Sequence, residues 1–328
     1  MQLSYAQNLE DHHLELLFAD VSNGVYVDIG GGHPVADNVS FYFYLKGWRG
    51  LVVEPQKQLA DLYAHVRPRD VTLSLLAGAT DGEASFHKVD KLHGLSSMVE
   101  ASAASAQAYG VGYYTHTMPV RRLSTLLAYH GFDKIDFLKI DVEGAEDQVL
   151  AGMDWTRHRP RVVVIEAVNP SSSDTSAAFE PQMLVAGYKF AFFDNLNRFY
   201  VADEAAEIAK RLPQNPTPWH DIPHLYDCGL APVAEKHPDH LLAKALLNGF
   251  FASLPALDPT LLRCLIERGL GPDHTPEALA AALFGSAEYP GHEVTPKSAD
   301  WAALMASDRF RAALGRIACT YDGGHIMD

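Results

Sequence analysis

Three groups of residues in this chain have types and spacings that could do chemistry. The first is "VYVDIGGGH", residues 25–33, in which an apolar run ends in Asp28 and then in Gly30, Gly31 and Gly32. Residues without a Cβ let a backbone take positive φ and come close to a ligand, presenting N–H groups to it. Glu54 closes the next apolar run, "GLVVEP", 26 positions after Asp28. A carboxylate there can accept hydrogen bonds from both hydroxyls of a ribose. The second group is Asp141 in "KIDFLKIDVEGAEDQVLAGM", Glu166 at the end of "RVVVIEA", and Asn169 three residues further on. Two carboxylates and an amide form an all-oxygen set that Mg²⁺ or another hard divalent cation accepts, and such an ion can lower the pKa of a substrate hydroxyl. Asp141 could equally serve as a metal-free base, or these acids could grip the hydroxyls of a sugar. The third group is His33, on the glycine turn, and His93, in the polar loop "KLHGLSSM". Both are general-base candidates.

The ligand of the glycine turn is narrowed by what is missing. A dinucleotide fingerprint needs a third glycine where Val35 stands, and no Walker lysine follows the turn. Asp28 faces a positive group more comfortably than a phosphate. An adenosine carrying an amino-acid tail and a sulfonium, S-adenosylmethionine, meets the needs of both Asp28 and Glu54. On spacing alone the choice between it and a nicotinamide dinucleotide stays open.

These residues must be positioned by a parallel sheet. The strand candidates are "VYVDI" (25–29), "GLVVEP" (50–55), "VTLSLLA" (71–77), "KIDFLKIDV" (134–142) and "RVVVIEA" (161–167), nearly solid with apolar residues, as strands covered on both faces must be. Between them "DNVSFYFYLKG", "QKQLADLYAHV", "RRLSTLLAYHG" and "AEDQVLAGM" read as covering helices, two of them stopped by Gly47 and Gly131. Strand alternation puts Phe137, Lys139 and Asp141 on one face, so the buried Lys139 must meet a carboxylate. Glu143, Glu146 and Asp147 suit the positive end of the helix that follows. "YKFAFFDNLNRFYV" reads as an antiparallel edge hairpin turning at Asp194–Asn197.

The proline-rich stretch "RLPQNPTPWHDIPHLYDCG" reads as a linker. It divides a doubly wound α/β domain, residues 1–228, from an alanine- and leucine-rich helical C-terminal subdomain, residues 229–328. The formal charge of −15 offers no basic stripe for nucleic acid. No run of about 20 apolar residues could span a membrane. The opening segment lacks the positive start and apolar core of a secretory signal, so a cytoplasmic location is expected. Cys228, Cys264 and Cys319 are far apart and read as small buried apolar residues rather than disulfide or zinc ligands.

With these elements placed, the sequence resembles the FkbM family of S-adenosylmethionine-dependent methyltransferases. The matching words are "SYAQNLED", "YVDIGGGHPVADNVSFYFYLKGWRGLVVEP", "IDFLKIDVEGAEDQVLAGMDW", "RPRVVVIEA" and "DNLNRFYV", across roughly residues 4–202. The resemblance implies a class I (Rossmann-like) methyltransferase fold and methyl transfer to an oxygen, in polysaccharide or natural-product biosynthesis. It places Asp28, Gly30 and Gly32 at the methionine end of the cofactor, Glu54 at the ribose, Ala77 and Gly78 at the adenine edge, and Asp141 near the methyl. Gly31-Gly32-His33 departs from the family, whose members often carry alanine and one aromatic or asparagine there. The expected acceptor is a sugar hydroxyl of a glycan or glycosylated small molecule, and the sequence admits a homo-oligomer. The rival expectations are a nicotinamide-dependent oxidoreductase and a non-catalytic glycan-binding module.

Overall fold

The computed structural model describes residues 3–89, 92–169, 172–225, 235–236, 241–242, 245 and 271. The chain divides into two compact units, residues 1–224 and 225–328. Apart from the few positions just named, the residues on which the helical reading of 229–328 rests lie outside the described residues. Among the described residues no helix is long and apolar enough to cross a membrane.

The first unit is built on a seven-stranded sheet. Its strands are β1 (Val25–Ile29), β2 (Arg49–Val53), β3 (Val71–Leu73), β7 (Phe137–Ile140), β8 (Val162–Glu166), β9 (Tyr188–Phe193) and β10 (Asn197–Ala202). The order is β3-β2-β1-β7-β8-β10-β9. The first five run parallel, and β10 and β9 add the expected antiparallel edge. The hairpin turn forms where anticipated, with Asp194 Oδ1 accepting the N–H groups of Leu196 and Asn197.

Alternation along the strands creates two cores. Val27, Ile29, Leu51, Leu138, Ile140, Val163 and Ile165 face helices α5 (Leu123–His130) and α6 (Glu146–Ala151). Tyr26, Val52, Phe137, Val162 and Val164 face α1 (Glu10–Phe18), α2 (Phe41–Leu45) and Tyr63 of α3 (Lys57–Val66). Helices on both faces leave the carboxyl edge of the strands open to a ligand. The strand order reverses between β1 and β7, the switch point where such sheets form their crevice.

One expectation is corrected and one sheet is added. The third parallel strand ends at Leu73, not Ala77: the strand stops before Ser74, and Leu76–Gly78 form β4 of a separate sheet. That sheet, ordered β4-β6-β5, pairs β4 with β6 (Tyr113–Arg122) and β6 with β5 (Gly82–Val89). No signal in the sequence announces it, because β5 and β6 are only partly buried and carry Gly, Pro, Thr and His in place of a regular apolar pattern.

Candidate active site

The glycine turn leaves β1 at the switch point. Gly30 has φ 77°, and a Cβ there would stand 1.7 Å from the carbonyl oxygen of Asp141, so only glycine fits. Gly31 is closed in by Val52 and the Tyr63 hydroxyl, whereas a Cβ at Gly32 would meet open space. The expected display of free N–H groups is not found. Gly30 and Gly31 both donate to Val53 O, and Gly32 donates to Glu54 Oε2 at 2.8 Å. The turn therefore offers close approach rather than donors.

Glu54 is 3% exposed and also accepts the Gln56 N–H at 2.8 Å. Each carboxylate oxygen keeps a second lone pair. Burial pushes its carboxyl up to about 7, against the pull of its two backbone donors and of Lys139. Asp28, 1% exposed, takes the Ser40 hydroxyl on Oδ2 at 2.6 Å. Its Oδ1 has no hydrogen-bond partner and lies 3.7 Å from Lys139 Nζ.

Lys139 meets its carboxylates as expected. Its ammonium is 3.1 Å from Asp141 Oδ2 and donates to Gly30 O at 3.0 Å. Burial alone would lower its pKa, yet Asp141 and Asp28 hold it above the ordinary value.

Over β7 and β8 the structure gathers Asp141, Glu143 and Glu166, each offering a carboxylate oxygen within 4.8 Å of the others. The sequence places Asp141 and Glu166 together and gives Glu143 only a helix-end role. It reaches the pair because its backbone is left-handed, φ 58°, and its Oε2 has no hydrogen-bond partner. Asn169, the third member expected, instead accepts the Ser173 N–H on its amide oxygen. Burial, then repulsion from Asp141, pushes Glu143 up to about 8 and Glu166 up to about 11. Glu146 is buried and closes the loop, accepting the N–H groups of Val142 and Gly144.

His33 and His93 stand on the β2 side of the crevice. His33 Nδ1 accepts the N–H groups of Val35 and Ala36, so it caps the turn and leaves Nε2 as its other ring nitrogen. Burial, then the neighbouring His93, lowers its pKa. The His93 carbonyl accepts from Gln56 Nε2, two residues past Glu54. Ala77 and Gly78 are placed elsewhere. Ala77 belongs to the α5–α6 core, and Gly78 packs its carbonyl against Gly152, the residue that ends α6. The end of β3 is instead carried on by Ser74, whose hydroxyl donates to Pro55 O.

A clasp borders the crevice beyond β8. Asn197, paired with Glu166 in the β8–β10 register, donates to Glu10 Oε1 at 2.7 Å, and Asn8 N–H donates to the other oxygen of Glu10. Burial, with Asp194 next to it, pushes Glu10 up to about 8.

Residues 28–190 match the family model described as the methyltransferase FkbM domain. The chain carries an FkbM methyltransferase domain. No curated protein matches the chain. The FkbM match opens at Asp28 and spans every strand-end acid described above, from Glu54 to Glu166. The domain makes this chain a methyltransferase, with S-adenosylmethionine the cofactor the family implies.

Proposed function

We propose that this protein is an S-adenosylmethionine-dependent O-methyltransferase acting on a sugar hydroxyl of a glycan or glycosylated metabolite. The observation that carries the reading is the pair of buried strand-end carboxylates flanking a glycine turn at the switch point. Asp28 Oδ1 has no donor, and Glu54 keeps a lone pair on each oxygen. The Asp28 oxygen that accepts no hydrogen bond fits a cationic methionine end, and Glu54 fits the two ribose hydroxyls. Gly30 and Gly32 let the ligand lie against main chain.

When bound, the cofactor supplies a methyl group on a positively charged sulfur. The protein's part is to orient the acceptor oxygen in line with it and to take the hydroxyl proton. The Asp141–Glu143–Glu166 trio is assigned the proton. Its crowded carboxyls stand ready to share one, and Lys139 holds Asp141 in place. His33 is assigned to the turn it caps, and His93 to the loop above it. The trio also supports a second reading, in which Asp141, Glu143 and Glu166 would hold Mg²⁺ or a similar ion, which would lower the pKa of the acceptor hydroxyl.

Calorimetry with S-adenosylmethionine and with NAD separates the methyltransferase from the oxidoreductase. Transfer of a labelled methyl group to a panel of neutral mono- and oligosaccharides then tests the acceptor. Cofactor binding with no transfer to any acceptor would favour the glycan-binding module, and full turnover in chelator would remove the metal.

A further inference from the structure

The underside of the glycine turn is a buried polar network rooted at Arg67, the residue that ends α3. Its guanidinium is fully buried and lies 2.8 Å from Asp70 Oδ2. An ion pair with Asp70 would satisfy a purely structural role, yet most of its donors point elsewhere. Nη2 donates to Ser40 Oγ at 2.8 Å, and the Ser40 hydroxyl in turn donates to Asp28 Oδ2 at 2.6 Å. Nη1 donates to Asn38 Oδ1 at 2.8 Å. Asn38 Nδ2 then donates to Gly31 O at 2.8 Å and His33 O at 3.1 Å, and the Tyr63 hydroxyl donates to Gly31 O as well.

We propose that Arg67 is a positioning residue for the cofactor: through Ser40 it fixes the carboxylate of Asp28, and through Asn38 it fixes the carbonyls of the glycine turn. The proposal rests on the reading that S-adenosylmethionine lies against that turn. Ser40 holds one oxygen of Asp28 and thereby directs the other, donor-free, oxygen toward Lys139 and the methionine end of the ligand. A charged donor at the root keeps this chain of bonds short and aligned, so Asp28 is in place before the ligand arrives.

The test is calorimetry on the full-length protein with two ligands, S-adenosylmethionine and methylthioadenosine, which lacks the amino-acid tail. Ser40→Ala is expected to weaken S-adenosylmethionine binding about tenfold, as loss of a bond to a charged acceptor implies, and to leave methylthioadenosine within about twofold. Arg67→Lys is expected to give the same split, and the double variant to be no worse than the weaker single one, because both cut one chain. If Arg67→Lys does not fold, Ser40→Ala decides alone. Equal weakening of both ligands would overturn the proposal in favour of general loosening. So would unchanged S-adenosylmethionine binding in Ser40→Ala while Glu54→Ala still loses it. Unchanged binding in both Ser40→Ala and Glu54→Ala would overturn the proposal together with the reading beneath it.

Discussion

Gly30 lies against the main-chain carbonyl of Asp141, with no room for a methyl group between them. The first and fourth parallel strands in chain order therefore touch through bare backbone at their carboxyl ends, and Lys139 ties the same two residues by donating to one and pairing with the other. Gly30→Ala is expected to lose cofactor binding and to lower the melting temperature, since strain at positive φ of about 1–2 kcal/mol adds to the clash. Gly32→Ala carries only the backbone strain and is expected to be milder. Equal melting temperatures for the two variants would contradict this contact.

Removing the ammonium between the carboxylates should be costly. Lys139→Met leaves Asp28 and Asp141 buried or half-buried without their cation, and about 3–5 kcal/mol of stability should be lost in urea unfolding. Adding Asp141→Asn should restore part of it, because one stranded charge is gone. A double variant less stable than the single would sink the pairing argument.

Glu54 gives the cofactor site a pH dependence. Its folded-state value is raised from 4.5 to about 7, so the folded chain holds this proton where the unfolded chain has released it. Stability therefore falls as pH rises across that window and is level above it. Glu143 and Glu10, both raised to about 8, act in the same direction and extend the decline. Cofactor affinity runs the other way, since the ionised carboxylate is the better acceptor. Between pH 6 and pH 8 the ionised fraction at Glu54 rises about tenfold, and the dissociation constant should fall by a similar factor. A flat calorimetric profile would exclude Glu54 as the ribose acceptor.

The carboxyl trio should divide binding from turnover. Glu166→Gln keeps shape and removes one of the three carboxyls that share the proton, so the methyl-transfer rate is expected to drop by about 10²–10⁴. The dissociation constant of the cofactor should stay within about twofold. Loss of binding without a further loss in single-turnover rate would move Glu166 from the reaction to the cofactor.

The parallel sheet was legible because "VYVDI", "FLKI" and "VVVIE" are apolar on both faces, and once strand ends were placed, Asp28, Glu54, Asp141 and Glu166 followed. The end of β3 was hidden because Leu75–Ala77 continues its apolar run while the backbone turns into another sheet. Glu143 gave no signal, since its place among the acids depends on a left-handed conformation that no residue type announces outside glycine and asparagine. Asn38, Ser40 and Arg67 were illegible for a different reason. Their bonds join positions 27 to 29 residues apart, and "DNVS" alone reads as an ordinary helix cap.

The clasp of Glu10 by Asn197 joins positions 187 residues apart and stands beside Glu166. The amino-terminal arm is thus part of the rim itself, sewn down there by the amides of Asn197 and Asn8, the latter donating to Asp194 O. Trimming the chain past residue 10 would admit water to that rim and blunt the enzyme while leaving every residue of the FkbM match in place.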